Sequence, residues 1–427
     1  MPNPSYCIIG AGLVGLNAAR YAQESGGHVT VFEQTDKVGG TWVYTDEVGK
    51  DKYGLDIHTS MYQGLKTNLP KELMGFPDFP IGEQEESFVT AAEVLQFIVN
   101  FTDKFELWSC IKFEHHVVRV TRLMDSDKWE VIVKNLPSNT YETYQFDFVL
   151  ICNGHFFKPF IPEIAGADLF KGRRMHSHDY RCPEPFRGKN VVVIGGSHSG
   201  VDVAIASAPV ANRTVLSHRH TSQLNIFNDK VIQVSEIARI RENEIDFVDG
   251  SKHPCDVLVF CTGYQTCFPF LSVDSGIQVE ENHVKPLYKH CINIRFPSMA
   301  FLGLPFHSCF TLMVDLQSRF CIKFFSGAKE LPSQEEMWAD NRRDEEERAA
   351  RGLLGKAAHM LDGDLQQRYY DELARVADIE PLKPVLTKLY DACITEKRNN
   401  MLTYRSNVYR IIDDENFVKI RGSGVSN

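Results

Sequence analysis

Short apolar, β-branched runs alternate with glycine-rich turns and with stretches of helical spacing along the first two thirds of the chain. Tyr6-Cys-Ile-Ile9 is the kind of run that a strand buried on both faces requires. Gly10-Ala-Gly12-Leu-Val-Gly15 follows at once, Leu16 to Gln23 has helical spacing, and Gly26-Gly27 ends it. His28-Val-Thr-Val-Phe-Glu33 reads as a second strand that closes on an acid. The same order recurs mid-chain: Asn190-Val-Val-Val-Ile194 as strand, Gly195-Gly-Ser-His-Ser-Gly200 as turn, Val201 to Ala208 as helix and Thr214 to Ser217 as the next strand. Each cycle is followed by a hydrophobic strand running into a small-residue turn, Phe148 to Gly154 and Val257 to Gly263.

Two such cycles predict an α/β fold with two dinucleotide-binding, Rossmann-like domains. The second cycle is complete in itself, and Phe301-Leu-Gly-Leu-Pro305 has no third glycine fingerprint to serve. The second domain is therefore expected as an insertion at 166–284, with 1–165 and 285–427 forming a discontinuous first domain. Pro159, Pro162, Pro183 and Pro185 punctuate the connector. Phe310 to Phe325 has helical spacing, and the densely charged Glu335 to Arg351 reads as a solvated surface helix.

Composition narrows the class. A chain of 427 residues with 43% hydrophobic and 24% charged positions is long enough for two or three domains and a core that needs no staples. The net charge of −10 argues against a nucleic-acid surface. The 11 cysteines include no CxxC, so a zinc ribbon, a redox dithiol and a disulfide framework are all disfavoured, and no metal is expected. The most apolar stretch, Phe301 to Val314, is interrupted by Pro305 and His307, so no membrane-spanning helix or anchor is expected. The first turn begins too near Met1 to leave room for a signal peptide, which points to a soluble, cytoplasmic protein. A removed leader, with the triplets Asn100-Phe-Thr102 and Asn212-Arg-Thr214, would fit a secreted one. A homo-oligomer is expected only on general grounds.

The two turns differ in chemistry. Gly10, Gly12 and Gly15 allow a tight turn, close approach of backbone to a pyrophosphate, and helix-on-strand packing. Glu33, at the end of the next strand, accepts from a ribose hydroxyl and repels a 2′-phosphate, so the first site should hold FAD or NAD rather than NADP. In the second turn Gly195 and Gly200 stand, but Ser197 replaces the middle glycine, predicting a looser approach rather than lost binding. The following strand ends in Ser217-His218-Arg219-His220 with no acid. A hydroxyl and a guanidinium suit a 2′-phosphate, hence NADPH; the alternative is a solvated loop. A flavin site followed by an inserted nicotinamide site describes a two-dinucleotide flavoprotein, and the missing CxxC removes the disulfide reductases from that group.

Gly39-Gly40-Thr41-Trp42, the stretch Thr67-Asn68 to Pro80, Phe170-Lys-Gly172-Arg-Arg-Met-His176 and Cys261-Thr262-Gly263-Tyr264 resemble class B flavin-containing monooxygenases, the third as that family's FxGxxxH fingerprint. Baeyer–Villiger relatives usually end this fingerprint with Trp; Tyr180 here favours the N- and S-oxygenating members. The resemblance runs to about Pro381. The length, without the C-terminal anchor of the microsomal mammalian members, is similar to soluble insect members, among them pyrrolizidine alkaloid N-oxygenases.

The resemblance implies FAD reduced by NADPH, O2 trapped as a flavin hydroperoxide, and one oxygen passed to a soft nitrogen or sulfur, most simply of a tertiary amine. A small nucleophilic substrate and O2 are then the partners. Baeyer–Villiger or amine-hydroxylating chemistry is the alternative, and a cofactor-binding protein without turnover is a third reading favoured only by Ser197. Asn68 is the implied catalytic residue, because an amide donates and accepts without titrating; otherwise it caps the turn before Pro70. Gly40 belongs to the flavin side. Trp42 either touches the cofactor or packs in the flavin domain. Gln317 is expected to approach the flavin from the Phe310–Phe325 helix. His176 is expected to link domains rather than act as acid or base.

Overall fold

β-branched runs too short for a helix and apolar on both faces become strands at the centre of two separate sheets. The computed structural model describes residues 3–219 and 230–421. One sheet has seven strands, in the order Leu287–Tyr288, Ile292–Asn293, Met299–Phe301, Phe148–Ile151, Ser5–Ile9, His28–Phe32 and Ile111–Lys112. Its five last strands are parallel, and the two edge strands that follow residue 286 pair antiparallel. The second sheet is wholly parallel, in the order Ile232–Val234, Arg213–Ser217, Asn190–Ile194, Val257–Phe260 and Arg173–His176. The chain adopts the expected α/β architecture, each parallel sheet opened by its own glycine turn.

The first sheet draws strands from before residue 152 and after residue 286, and the second sheet lies between them in the chain. Packing returns to the first unit earlier than the expected 284. Phe270, Val284 and Leu287 share a buried cluster with Cys7, Ile9 and Phe32, and Val120 bridges to Leu271. Periodicity cannot register this, because 268–284 is a loop and a short hairpin whose partners are remote in sequence.

Both motif helices start three residues before the sequence pattern suggested, at Leu13 and His198, with Gly12 and Ser197 as N-caps. Gly15 and Gly200 therefore lie inside the first helical turn, where their role is space. A Cβ on Gly15 would lie 1.9 Å from the Gly10 carbonyl oxygen, and one on Gly200 would lie 1.7 Å from that of Gly195. Gly10 and Gly195 turn the chain at φ +103° and +111°, a region that L side chains rarely adopt. Their N–H groups donate to the carbonyls of Phe32 (2.8 Å) and Ser217 (2.9 Å), tying each turn to the end of the neighbouring strand.

Phe310–Phe325 forms the expected helix, buried along nearly its whole length against the Leu13–Glu24 helix. Gln334–Ala350 is the charged surface helix, started by a Ser333/Glu336 capping box. Helices Asp364–Ala377 and Pro384–Asn399 follow. A hairpin, Asn407–Ile411 with Phe417–Arg421, returns to the first unit where Ser87 Oγ accepts from the Tyr409 N–H at 2.8 Å. Among the described residues no helix is long and apolar enough to cross a membrane.

The two glycines of the first turn should separate in their effects on stability. Gly15→Ala forces a Cβ into backbone and is expected to cost more than ~4 kcal/mol, so that little folded protein is recovered. Gly12 has an ordinary φ of −78°, and a Cβ there meets its nearest atom, Gly40 Cα, at 3.6 Å. Gly12→Ala should unfold within ~0.5 kcal/mol of the parent. Urea titration of the two variants checks this.

Candidate active site

The two helices that follow the glycine turns begin without a side-chain cap and without an acidic residue in the first turn. The Ala91–Lys104 helix, by contrast, carries a full capping box from Thr90 and Glu93. Uncapped N–H groups and the positive end of the helix dipole make both starts suited to phosphate. Residues from both starts line one cavity of about 660 Å³: Gly10, Gly12 and Leu13 from the first, His198, Ser199 and Asp202 from the second.

The first turn is built as a cradle. A Cβ on Gly40, which sits at φ +55°, would lie 3.1 Å from the Gly12 Cα, so two glycine backbones face each other with no side chain between. Gly39 donates its N–H to the Ala11 carbonyl at 3.0 Å and fixes that approach. Glu33 is buried. It accepts from the N–H of Ala11 (2.8 Å) and of Thr35 (2.9 Å), so the acid braces the turn and has lone pairs to spare for a ribose. Burial raises its pKa, against the lowering effect of those N–H groups. The buried hydroxyls of Thr41 and Thr67, both at the cavity wall, have no partner among the described residues. A glycine cradle, an uncapped helix start and orphaned hydroxyls fit a bound dinucleotide.

Gly10, Gly12, Glu33, Gly40, Trp42 and Asn68 all line the cavity, and Gly15 supports it by packing. Trp42 lies half-buried between the cavity and the main core. No described residue hydrogen-bonds the Asn68 carboxamide, so it does not cap the Pro70 turn. The second motif behaves differently. Ser197 keeps the backbone of Gly12 (φ −86°, ψ −172° against −78°, −178°) and carries its side chain in solvent.

Ser217 departs from its expected role, because it is buried and its hydroxyl donates to the Ser235 carbonyl at 2.7 Å. Arg219 is exposed and paired with Glu236 at 2.7 Å. His220 lies outside the described residues. Gln317 is fully buried and does not reach the cavity; its Oε1 accepts from the Gly303 N–H and its Nε2 donates to Tyr369 Oη, both at 2.8 Å. That helix meets the cavity through Phe310 instead.

Several wall residues carry no sequence signal. His58 stacks on Phe157 (5.4 Å between centroids), and His155 stands edge-on to Phe156 (4.1 Å). Burial pushes both imidazoles down to about 4, so they are neutral near pH 7. Tyr62, Asp202 and Arg405 meet at one side, although 343 positions separate the outer two. His176 lies buried beneath the site, its Nδ1 accepting from the His178 N–H at 3.0 Å and its ring edge-on to Tyr264 at 5.1 Å. Burial lowers it, too, to about 4. Beside it the buried Arg181 donates to the carbonyls of Thr45, Glu47 and Thr59 on one unit and His178 on the other, which pins the two together.

The family model described as flavin-binding monooxygenase-like matches residues 5–228 and 223–395. The chain belongs to the flavin-binding monooxygenase family. It is an enzyme of that class, and the cofactors expected from its two turns, FAD and NADPH, are those of the family. It is 33% identical to senecionine N-oxygenase of Tyria jacobaeae over 97% of this chain and 91% of that protein. It is 36% identical to flavin-containing monooxygenase FMO GS-OX4 of Arabidopsis thaliana over 86% of this chain and 83% of that protein. The structure of S-allyl-L-cysteine S-oxygenase from Allium sativum superimposes with a TM-score of 0.89 at 32% identity, covering 94% of this chain and 95% of that one.

In this flavin monooxygenase His58, His155 and His176, three of several histidines whose pKa burial lowers, couple stability to pH. The unfolded chain takes up their protons near pH 6.5 and the folded chain only near 4, so stability falls as pH drops through that window. Each should remove roughly 1 kcal/mol by about pH 5.5. Urea midpoints across this range should shift accordingly, and His176→Gln should lower the slope by about one proton.

Proposed function

We propose that the chain is an FAD- and NADPH-dependent N-oxygenase that adds one oxygen atom of O2 to a tertiary amine, with alkaloid amines as the expected class. The observation that carries this is the cavity wall of His58, His155, Phe156, Phe157 and Phe310, in which burial keeps both imidazoles uncharged. Surroundings that expel a proton from imidazole also disfavour an ammonium ion. They favour the free base, whose lone pair is the nucleophile. The similarity to senecionine N-oxygenase along nearly the whole chain supports the same reading.

In this reading Gly10, Gly12 and Gly40 would hold FAD and Glu33 would accept from a ribose hydroxyl, and the bound flavin would supply the redox chemistry that activates O2. The inserted unit, expected at 166–284, takes NADPH at the Gly195–Gly200 turn. With the Ser217 hydroxyl committed to Ser235, the exposed Arg219 is the candidate for the 2′-phosphate among the described residues of that strand end. Its exposed pair with Glu236 is worth little, so exchanging that carboxylate for a phosphate is inexpensive. Arg219→Ala should lower the preference for NADPH over NADH by about tenfold to a hundredfold, as loss of a charge-assisted contact of ~1.5–3 kcal/mol implies. An unchanged ratio in steady-state assays would place the phosphate elsewhere.

Asn68 orients the reacting groups through its free carboxamide. Asn68→Asp is nearly isosteric but loses the donor and adds charge to a dry site. The variant should keep FAD while the yield of oxygenated product per NADPH falls and H2O2 rises; full coupling would remove Asn68 from the machinery.

A second reading, S-oxygenation of a thioether, is favoured by the close superposition on the Allium sativum S-oxygenase. A panel of one tertiary amine, one thioether and one cyclic ketone, scored by mass spectrometry against NADPH consumed, separates the readings. N-oxide should dominate. Sulfoxide in excess supports the second, and a lactone would indicate Baeyer–Villiger chemistry.

A further inference from the structure

Arg405 lies far beyond both glycine motifs, on the short turn Tyr404–Ser406 that follows the Pro384–Asn399 helix. Its neighbours hold it firmly. Tyr404 is buried edge-on against Phe88 (5.3 Å), and its carbonyl accepts from Asn407 Nδ2 at 3.0 Å. From this base the guanidinium reaches the cavity wall and forks. Nη1 and Nη2 donate to the two oxygens of Asp202 at 3.1 and 3.0 Å, while Nε donates to the Thr67 carbonyl at 3.1 Å. Tyr62 Oη adds a third bond to Asp202 at 2.6 Å.

Asp202 belongs to the helix that opens at the second glycine turn, and Thr67 immediately precedes Asn68. One planar group therefore ties the inserted unit to the peptide that carries the proposed reacting amide. Both side chains of the ion pair are mostly shielded, at 28% and 18% exposure, which makes a bidentate pair more than a surface contact. Arg181 pins the two units elsewhere, its side chain donating to the carbonyls of Thr45, Glu47, Thr59 and His178.

We infer that Arg405 is a positioning residue that sets the Asn68 carboxamide according to the placement of the inserted unit, so that oxygen transfer proceeds only when that unit is seated. This rests on the role proposed above for Asn68 in N-oxygenation. The fork geometry is what the role needs: Nε serves Thr67 while the two terminal nitrogens serve Asp202. A lysine retains the charge but has a single nitrogen and cannot hold both partners at once. Small displacements of a reacting group are costly, since about 1 Å can lower a rate on the order of a hundredfold.

The test uses the FAD-loaded full chain carrying Arg405→Lys, with Asp202→Asn as a second, nearly isosteric variant. Two quantities are read: N-oxide formed per NADPH with N,N-dimethylaniline, and the rate of NADPH oxidation to H2O2 with no amine present. Flavin content and thermal midpoint are measured alongside. Both variants should keep bound FAD and lose coupling by about tenfold, with a faster leak to H2O2. Arg405→Lys should keep a KM for NADPH near that of the parent, because the charge beside Asp202 remains. Arg405→Lys combined with Asn68→Asp should be no less coupled than Asn68→Asp alone, as two steps of one path require.

Coupling and leak within about twofold of the parent in both variants would overturn the inference. So would a fall in thermal midpoint or flavin content with product per NADPH unchanged, which marks a purely structural role. If Arg405→Lys yields no folded protein, Asp202→Asn decides by the same criteria. Full coupling in Asn68→Asp alone would instead remove the Asn68 role on which this rests, and no oxygenated product from the parent chain would sink the N-oxygenase reading.

Discussion

The crowding of a helix start against a strand end is the constraint on which the structure depends. It occurs twice, at Gly15 over the Gly10 carbonyl and at Gly200 over that of Gly195, with no room for even one carbon. Each helix start is also open, without a side-chain cap and without an acid in its first turn, and both line the same cavity. Glu33 braces the first turn, and the Gly195 N–H on the Ser217 carbonyl braces the second. A dinucleotide phosphate is the natural partner for either start. The rest of the chain holds the two starts in register.

That second task falls to side chains rather than to sheets, because the two sheets share no strand. Arg181 reaches across with its hydrogen bonds to carbonyls, and Arg405 reaches across to Asp202. Burial lowers the pKa of the first, while the second has a carboxylate partner that raises it against the cost of burial. The first makes a fixed joint, and the second lies in the wall of the cavity itself. Between them the cavity gains an aromatic lining in which burial keeps His58 and His155 neutral.

How much of this was legible in the sequence depends on how local each signal is. The glycine turns, the strands beside them and the Phe310–Phe325 helix are written in consecutive residues, and they stand where expected. That the residues singled out around the first turn come together was legible for the same reason: Gly10, Gly12, Glu33, Gly40, Trp42 and Asn68 line one cavity. The second turn was less so. Whether Ser217 faces inward depends on Ser235, and Arg219 finds Glu236, both on a segment that pairs only in three dimensions. Gln317 has an amide suited to a flavin but spends both ends on Gly303 and Tyr369. His58, His155 and Arg405 sit in no motif, and only tertiary packing brings them to the wall.

Anaerobic mixing of the FAD-loaded chain with NADPH, followed by flavin absorbance, tests most directly whether both helix starts serve one cavity. One flavin per chain should be reduced in a saturable phase that depends on NADPH concentration, and Gly200→Ala, which disrupts the second start, should abolish the reduction in any flavin-loaded protein recovered. Flavin that binds at full stoichiometry but is not reduced by NADPH in the parent chain would contradict the account, because the two sites would then not share the space in which a hydride can pass.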